Sequence, residues 1–581
     1  MIGVNMDYKN RYQEWLNDPA LTEEDKSELL AVTDEDELLD RFYTSLKFGT
    51  AGMRGVVGMG ENRMNIYTVG RASNAFAKTI LDMGDWAKDA GVAIGYDCRN
   101  MSYEFAHRAA GVLNSYGIKV FIYDALRPVP MVSYAIRHLE CAAGIMITAS
   151  HNPPEYNGYK VYGRDGAQLE PENADKVIDY FEKMDDLQVP FMEKDEAAQK
   201  GLYNIIDKNV DDAYYKKVLG LVIRKDIFTK VGDEFSIVYT PLHGAGAIPV
   251  VHVLEEAGVQ GLNLVESQMM ADSKFSTVRS PNPEETDALE RAIALAKEKK
   301  ADLVMGTDPD CDRLGAAIRR KDGSFLTLTG NQIGMLLLNY ILQSRKENGT
   351  MPENPAVIST IVTSKMVEAV CESYGAECFL TLTGFKFICG IMADLEEEGK
   401  YEYVFGFEES HGYLPGTFVR DKDGVQACLI MAEMAAWYKS RGITPYDGLI
   451  ELYEKVGYYG EKNISYRFEG SEGVGIMQGI MKSMRDDIPA EIGGKKVLRV
   501  RDYQTSVATD MTTGEKSELK LHKSNVLCFD LESDTYFIAR PSGTEPKIKF
   551  YFGSKRDNME DAREEIEKLN KIIEEKYINK I

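Results

Sequence analysis

Three short apolar runs decide how this chain folds: GVAIGYD (Gly91–Asp97), KVFIYD (Lys119–Asp124) and AGIMITAS (Ala143–Ser150). Each has strand length, and the segments between them, YEFAHRAAGVLNSYG (Tyr103–Gly117) and PMVSYAIRHLE (Pro130–Glu140), carry helical spacing. Strands alternating with helices predict a mostly parallel sheet covered by helices. In such sheets ligands bind beyond the carboxyl ends of strands, which is where Asp97, Arg99 and Ser150 fall.

The pattern restarts twice. EFSIVYTPLHGAGAIPVVHVLEEAG (Glu234–Gly258) and ADLVMGTDPDCDRLGAAI (Ala301–Ile318) form a second round, and AVISTIVTSKMVEAVCESYG (Ala356–Gly375), CFLTLTGFKFI and YVFGFEESHGYL a third. From about residue 455 the character changes to a helix and antiparallel-strand pattern. The predicted architecture is three related α/β domains with mixed, mostly parallel sheets plus a C-terminal α+β domain, arranged around a central cleft. The expected divisions are 1–220, with an N-terminal helical extension, then 221–328, 329–450 and 451–581.

A chain of 581 residues is too long for one core and suits about four domains. Its 68 Lys+Arg against 92 Asp+Glu give a net charge of −24, which argues against nucleic acid or an anionic membrane as partner. An anionic ligand therefore needs a local cluster of cations. Eight scattered cysteines without a C-x-x-C pair suit reduced thiols better than disulfides or a zinc site. The polar N-terminus shows no secretory signal, and no apolar run approaches the roughly 18 residues of a membrane span. The expected location is the cytoplasm.

Several stretches carry chemistry. TASHNP (Thr148–Pro153) ends an apolar strand in Ser150-His151, which reads either as a serine deprotonated by histidine or as a serine that carries a group. DPDCDR (Asp308–Arg313) sets Asp308, Asp310 and Asp312 at alternate positions, a spacing that converges three carboxylates on a hard cation such as Mg²⁺. An EF-hand is excluded by Arg313 and Arg319 at its glycine and terminal glutamate positions. RPSGT (Arg540–Thr544) offers an arginine fork, two hydroxyls and glycine-opened amides, a compact phosphate cradle. GFEESHGYLPGTFVRDKDG (Gly406–Gly424) pairs Glu408 and Ser410, acceptors for sugar hydroxyls, with His411, Arg420 and Lys422. TPLHGAG (Thr240–Gly246) and the Gly55, Gly58, Gly60 cluster look like nucleotide-binding loops but lack the full fingerprint, and no P-loop occurs.

TASHNP, DPDCDR, GFEESHG and RPSGTEPK stand in the order found in the α-D-phosphohexomutase family, which includes phosphoglucomutases and phosphomannomutases. The chain resembles that family over almost its full length. GFEES with TPLHGAG and TGFKFI resembles its longer branch, which also holds phosphopentomutases and sugar-bisphosphate synthases. The resemblance implies that Ser150 is a phosphoserine and that Asp308, Asp310 and Asp312, with the Ser150 phosphate, hold Mg²⁺. It implies Arg313 near the transferring phosphoryl group, and Arg540, Ser542, Gly543 and Thr544 around the phosphate that stays put. Glu408 and Ser410 would hold sugar hydroxyls beside the Thr383-Gly384 specificity loop. Arg54, Lys160 and Arg420 would line the cleft, and His151 would position the loop or substrate.

The family's shorter bacterial members read G-E-M-S-G-H, with a proposed base where this chain has Gly412. The general acid/base therefore lies among Lys422, Lys160 and His411, and Lys422 is preferred. The implied reaction interconverts glucose 1-phosphate and glucose 6-phosphate through glucose 1,6-bisphosphate. Mannose or pentose phosphates on the same scaffold are the alternative, and a metal-dependent serine phosphatase is more distant. A sugar phosphate is the expected partner, in a monomer or homodimer.

Overall fold

The computed structural model describes residues 4–49, 52–184, 186–468, 473–542 and 547–579. Four sheets follow one another along the chain. The first has seven strands, whose order across the sheet is Phe48–Gly49, Gly52–Val56, Tyr156–Tyr162, Ala143–Ile147, Val92–Tyr96, Val120–Ile122 and Tyr203–Ile205. The last four of these are parallel. Val92–Tyr96 and Ala143–Ile147 are buried along their whole length, as expected for strands covered on both faces.

The second sheet is built on parallel Ser236–Thr240 and Leu303–Thr307, with Leu314–Arg319 returning antiparallel after the acidic loop. The third joins Glu377–Thr381, Pro355–Thr360 and Glu402–Glu408 in parallel, with Gly412–Leu414 antiparallel at its edge. The fourth is antiparallel, with Tyr458–Arg467 at one edge paired to Lys547–Arg556 and Lys516–Glu518 at the other. The terminal helix Met559–Ile573 buries Ile566, Leu569 and Ile573 in that sheet's core with Phe529, Phe537 and Phe550. Three α/β units and a β-rich C-terminal unit are the predicted class.

The α/β units share one core. Val132 and Tyr214, Tyr239 and Val253, and Phe405, Leu429 and Met431 belong to a single buried cluster. Its centre is the helix Gly424–Ser440, buried from Gly424 to Tyr438. Asp423 caps that helix by accepting the amides of Val425 and Gln426, and Glu433 is its one buried charge.

The strand Tyr156–Tyr162 runs through Asn157-Gly158, a pair that more often marks a turn. Here Gly158 is needed for close approach, since a Cβ on it would lie 2.5 Å from the Thr148 carbonyl. Around Gly58 and Gly60, Arg41 donates to the Met59 carbonyl and Glu28 accepts the Met59 amide, docking the N-terminal helices.

Candidate active site

Ser150 stands just past the strand Ala143–Ile147, buried and left-handed, with φ at +51°. A non-glycine residue holds that conformation at a cost of about 1–3 kcal/mol, so the surroundings must impose it. They do so through Arg99, whose guanidinium donates to the carbonyls of Ser150, Asn152, Pro153 and Tyr156. Asp97 accepts the Arg99 amide at 3.0 Å and the Thr148 hydroxyl at 2.7 Å, and Thr148 Oγ1 accepts the Ser150 amide at 2.8 Å. Arg99 is thus spent on the loop and unavailable to a ligand.

The acidic loop arrives from the second sheet. Ligand atoms of Asp308, Asp310 and Asp312 lie within 4.8 Å of one another, and all three residues are buried. Ser150 Oγ donates to Asp308 Oδ2 at 2.7 Å. His151 Nδ1 lies 3.1 Å from Ser150 Oγ, farther than Asp308 Oδ2. Asp308 Oδ1 accepts the amides of Asp312 and Arg313. Of the other four oxygens, Asp310 Oδ1 and Asp312 Oδ1 are buried without a hydrogen-bond partner. Orphaned carboxylate oxygens in an all-oxygen set are what a hard divalent cation satisfies, and the triad fits one.

Cations close the acidic centre. Lys160 Nζ lies 2.9 Å from Asp310 and 3.5 Å from Asp312. Lys422 Nζ lies 3.2 Å from Asp312 and 3.3 Å from Asp421. Burial favours the neutral amine in both, but the Asp310 and Asp312 charges raise Lys160, and Asp312, Asp421 and Glu408 raise Lys422 further. Both are ammonium groups at neutral pH. Burial and the surrounding cations Arg313, Arg54, Arg99 and Lys160 push His151 well below its ordinary range, leaving it neutral. Burial also lowers His411, whose Nδ1 is 3.0 Å from the Leu314 carbonyl. Burial and the neighbouring Asp310 and Asp312 charges raise Asp308 well above the carboxylate range, while Lys160 holds Asp310 below it against burial.

The residues expected to meet the sugar come from the third sheet. Glu408 ends its strand, and Ser410 donates to it at 2.9 Å. Gly384, with φ at +120°, opens the helix Phe385–Glu398, and Lys422 Nζ sits 5.7 Å from the Phe385 ring. Arg54 lies exposed on the strand Gly52–Val56 and donates to Asn152 at 3.0 Å. From the C-terminal sheet, Arg540 pairs in register with Lys549. The Glu409 carboxyl, raised by burial and Glu408, feels both Arg540 and Lys549, so this unit faces the Glu408–Ser410 turn. Ser542 donates its amide to the Lys547 carbonyl, while Gly543 and Thr544 lie outside the described residues.

Arg420 is the residue that the structure does not bring to the cluster. Its guanidinium is buried and paired with Glu396, and its amide donates to Ser133. Glu284 is the residue that sequence reasoning missed. It pairs with Arg313 and is held below the carboxylate range, against burial, by Arg313, His411, Lys549 and Lys547. No motif marks SPNPEE as charged machinery; only the fold brings it to the loop.

A serine hydroxyl on a strained loop, three buried carboxylates that could hold a cation and buried ammonium groups are the parts that metal-assisted phosphoryl transfer needs. Three family models match in sequence: Phosphoglucomutase/phosphomannomutase, alpha/beta/alpha domains I, II and III, over residues 45–188, 212–323 and 329–456. A phosphoglucomutase of Staphylococcus haemolyticus is 36% identical over 530 residues, 90% of this chain and 93% of that one. One of Staphylococcus epidermidis is 37% identical over 534 residues, 91% and 94% of the two. The chain belongs to the phosphoglucomutase/phosphomannomutase family. Among solved structures, the open form of Paramecium parafusin, a phosphoglucomutase, superposes with a TM-score of 0.67 at 20% identity, covering 92% of this chain and 95% of that one. A phosphoglucomutase/phosphomannomutase family protein of Burkholderia thailandensis gives 0.65 at 19% identity, covering 92% and 97%. These two share the fold. Among the described residues, no helix is long and apolar enough to cross a membrane.

Proposed function

We propose that this enzyme interconverts glucose 1-phosphate and glucose 6-phosphate, with Ser150 carrying the phosphoryl group between the two ends of the sugar. The observation that carries the reading is Ser150 Oγ, 2.7 Å from Asp308 beside two orphaned carboxylate oxygens. Asp308, Asp310 and Asp312, with the Ser150 phosphate, would hold Mg²⁺. When bound, it withdraws charge from the transferring phosphoryl group.

The chain's own residues do the rest. Arg313 and Lys160 stabilise the equatorial oxygens, and buried, neutral His151 orients the serine loop. Lys422, an ammonium held by Asp312 and Asp421, gives its proton to a leaving oxygen and recovers it from an attacking hydroxyl. Glu408 and Ser410 hold sugar hydroxyls beside Thr383-Gly384, and Arg54 lines the open side. Arg540 and Ser542, with Gly543 and Thr544, receive the phosphate that is not being transferred. Arg420 acts from outside, bracing the segment that carries Lys422. The units divide near residues 220, 328 and 450, and the last closes over the substrate to keep water from phospho-Ser150. Glucose 1,6-bisphosphate is the intermediate that turns over in the cleft and the activator that loads Ser150.

The test loads the purified protein with glucose 1,6-bisphosphate, maps the phosphate by mass spectrometry, and assays glucose, mannose and ribose 1-phosphates side by side. Phosphate on Ser150, fastest turnover of glucose 1-phosphate and no turnover by Ser150→Ala are expected. A Ser150→Ala variant that turns over normally would overturn the carrier role, and faster mannose or ribose turnover would move the specificity.

A further inference from the structure

The loop carrying the three aspartates is held from three sides. Its successive carbonyls at Pro309, Asp310 and Cys311 accept the amides of Ala245 at 2.8 Å, Val129 at 2.9 Å and Gly424 at 3.0 Å. These donors come from the second, first and third α/β units in turn. The fit excludes side chains. A Cβ on Gly244 would lie 2.4 Å from Pro309 Cα, one on Gly246 2.7 Å from Thr307 Oγ1, and one on Gly424 2.7 Å from the Cys311 carbonyl.

Gly244, Ala245 and Gly246 end the TPLHGAG stretch, whose glycines face the acidic loop. The turn is itself braced. Leu242 and His243 are left-handed, with φ at +46° and +66°. The His243 amide donates to the Gln268 carbonyl at 3.0 Å, and its ring nitrogens lie 2.9 Å from the Met270 carbonyl and 2.8 Å from Thr277 Oγ1.

We infer that the Gly244–Ala245–Gly246 turn, together with the Val129 and Gly424 amides, positions the three carboxylates for their cation. Affinity for the cation then depends on how the three units seat on this loop. By reciprocity, the bound cation tightens all three seatings. The physical reason is ligand geometry: Mg²⁺ demands near-ideal octahedral oxygens, and a backbone shift of about 0.5 Å at Pro309 is enough to spoil the set. The inference rests on the metal reading of the aspartates given above.

Two measurements test it, with Mn²⁺ as the probe, followed by loss of its free-ion spin-resonance signal. In Gly244→Ala the dissociation constant of Mn²⁺ should rise at least about tenfold, while KM for glucose 1-phosphate at saturating metal changes less than about twofold. A general loosening of the fold would move both. In the wild-type protein, which needs no variant to fold, added Mn²⁺ should slow hydrogen exchange in the peptides containing Val129, Ala245 and Gly424 together. Unchanged Mn²⁺ affinity in Gly244→Ala, or protection confined to residues 308–313, overturns the positioning role but leaves the metal site standing. Failure of wild-type protein to bind Mn²⁺ overturns both.

Discussion

Gly412 and Lys422 exclude one another's side chains: a Cβ on Gly412 would lie 2.2 Å from Lys422 Cδ and 3.2 Å from Glu408 Cγ. By the motif resemblance, position 412 corresponds to the histidine of G-E-M-S-G-H. The space can hold an imidazole from 412 or the lysine stem from 422, not both. The glycine is therefore the condition for the Lys422 stem to pass and reach Asp312.

Gly412→Ala should displace Lys422 and lower kcat about a hundredfold, the lower end of what positioned acid–base groups contribute, with little change in KM. Lys422→Met alone should lose as much or more. If the two positions compete for one task, Gly412→His combined with Lys422→Met recovers activity above either single variant. Strictly additive losses in a double-mutant cycle would sink the exchange argument.

Arg99→Lys should keep the fold and lose activity. Lysine offers one point charge where the guanidinium serves four carbonyls, and each charge-assisted hydrogen bond contributes about 1.5–3 kcal/mol. Released from its clamp, Ser150 relaxes from positive φ and leaves Asp308. The expected result is a kcat reduced by at least about tenfold, with an unchanged circular dichroism spectrum. Wild-type kcat would show that the loop holds itself.

Much of this site was legible because its chemistry is local. The alternate aspartates of DPDCDR converge as their spacing implies, and Ser150 stands at a strand end because the apolar run stops at Ile147. Contacts that the chain makes at long range were not. Lys160 rides on a strand concealed behind Asn157-Gly158, and its register opposite Met146 is what brings it towards Asp310. Arg420 looks like Lys422 in sequence, yet Glu396 on the helix Phe385–Glu398 claims it. Glu284 is visible only once Arg313 is folded against it.

Asp310→Asn should abolish stabilisation by metal. Anything that binds only the native state raises the melting temperature with its concentration, so saturating Mg²⁺ should raise that of the wild-type protein and leave the variant flat. Lys160→Met should lower it in either condition, because removing one partner of a buried ion pair costs about 3–5 kcal/mol. A wild-type protein indifferent to Mg²⁺ and to chelator would remove the metal from the triad.

Glu433 gives the protein a pH dependence away from the site. It is fully buried on the central helix, and its Oε1 accepts the Ile223 amide at 2.8 Å and the Arg224 amide. Burial pushes its carboxyl up to about 7 despite those bonds, from an ordinary 4.5. Between these two values the native state holds a proton that the unfolded chain has released. Stability from this group is therefore full below about pH 4.5 and is lost as pH rises through 7, by an amount on the order of 3 kcal/mol. Glutamine keeps the acceptor for both amides and cannot ionise, so Glu433→Gln should match the wild type in urea at pH 5 and exceed it at pH 8. A difference between the two proteins that stays constant from pH 5 to pH 8 would mean that Glu433 is charged throughout.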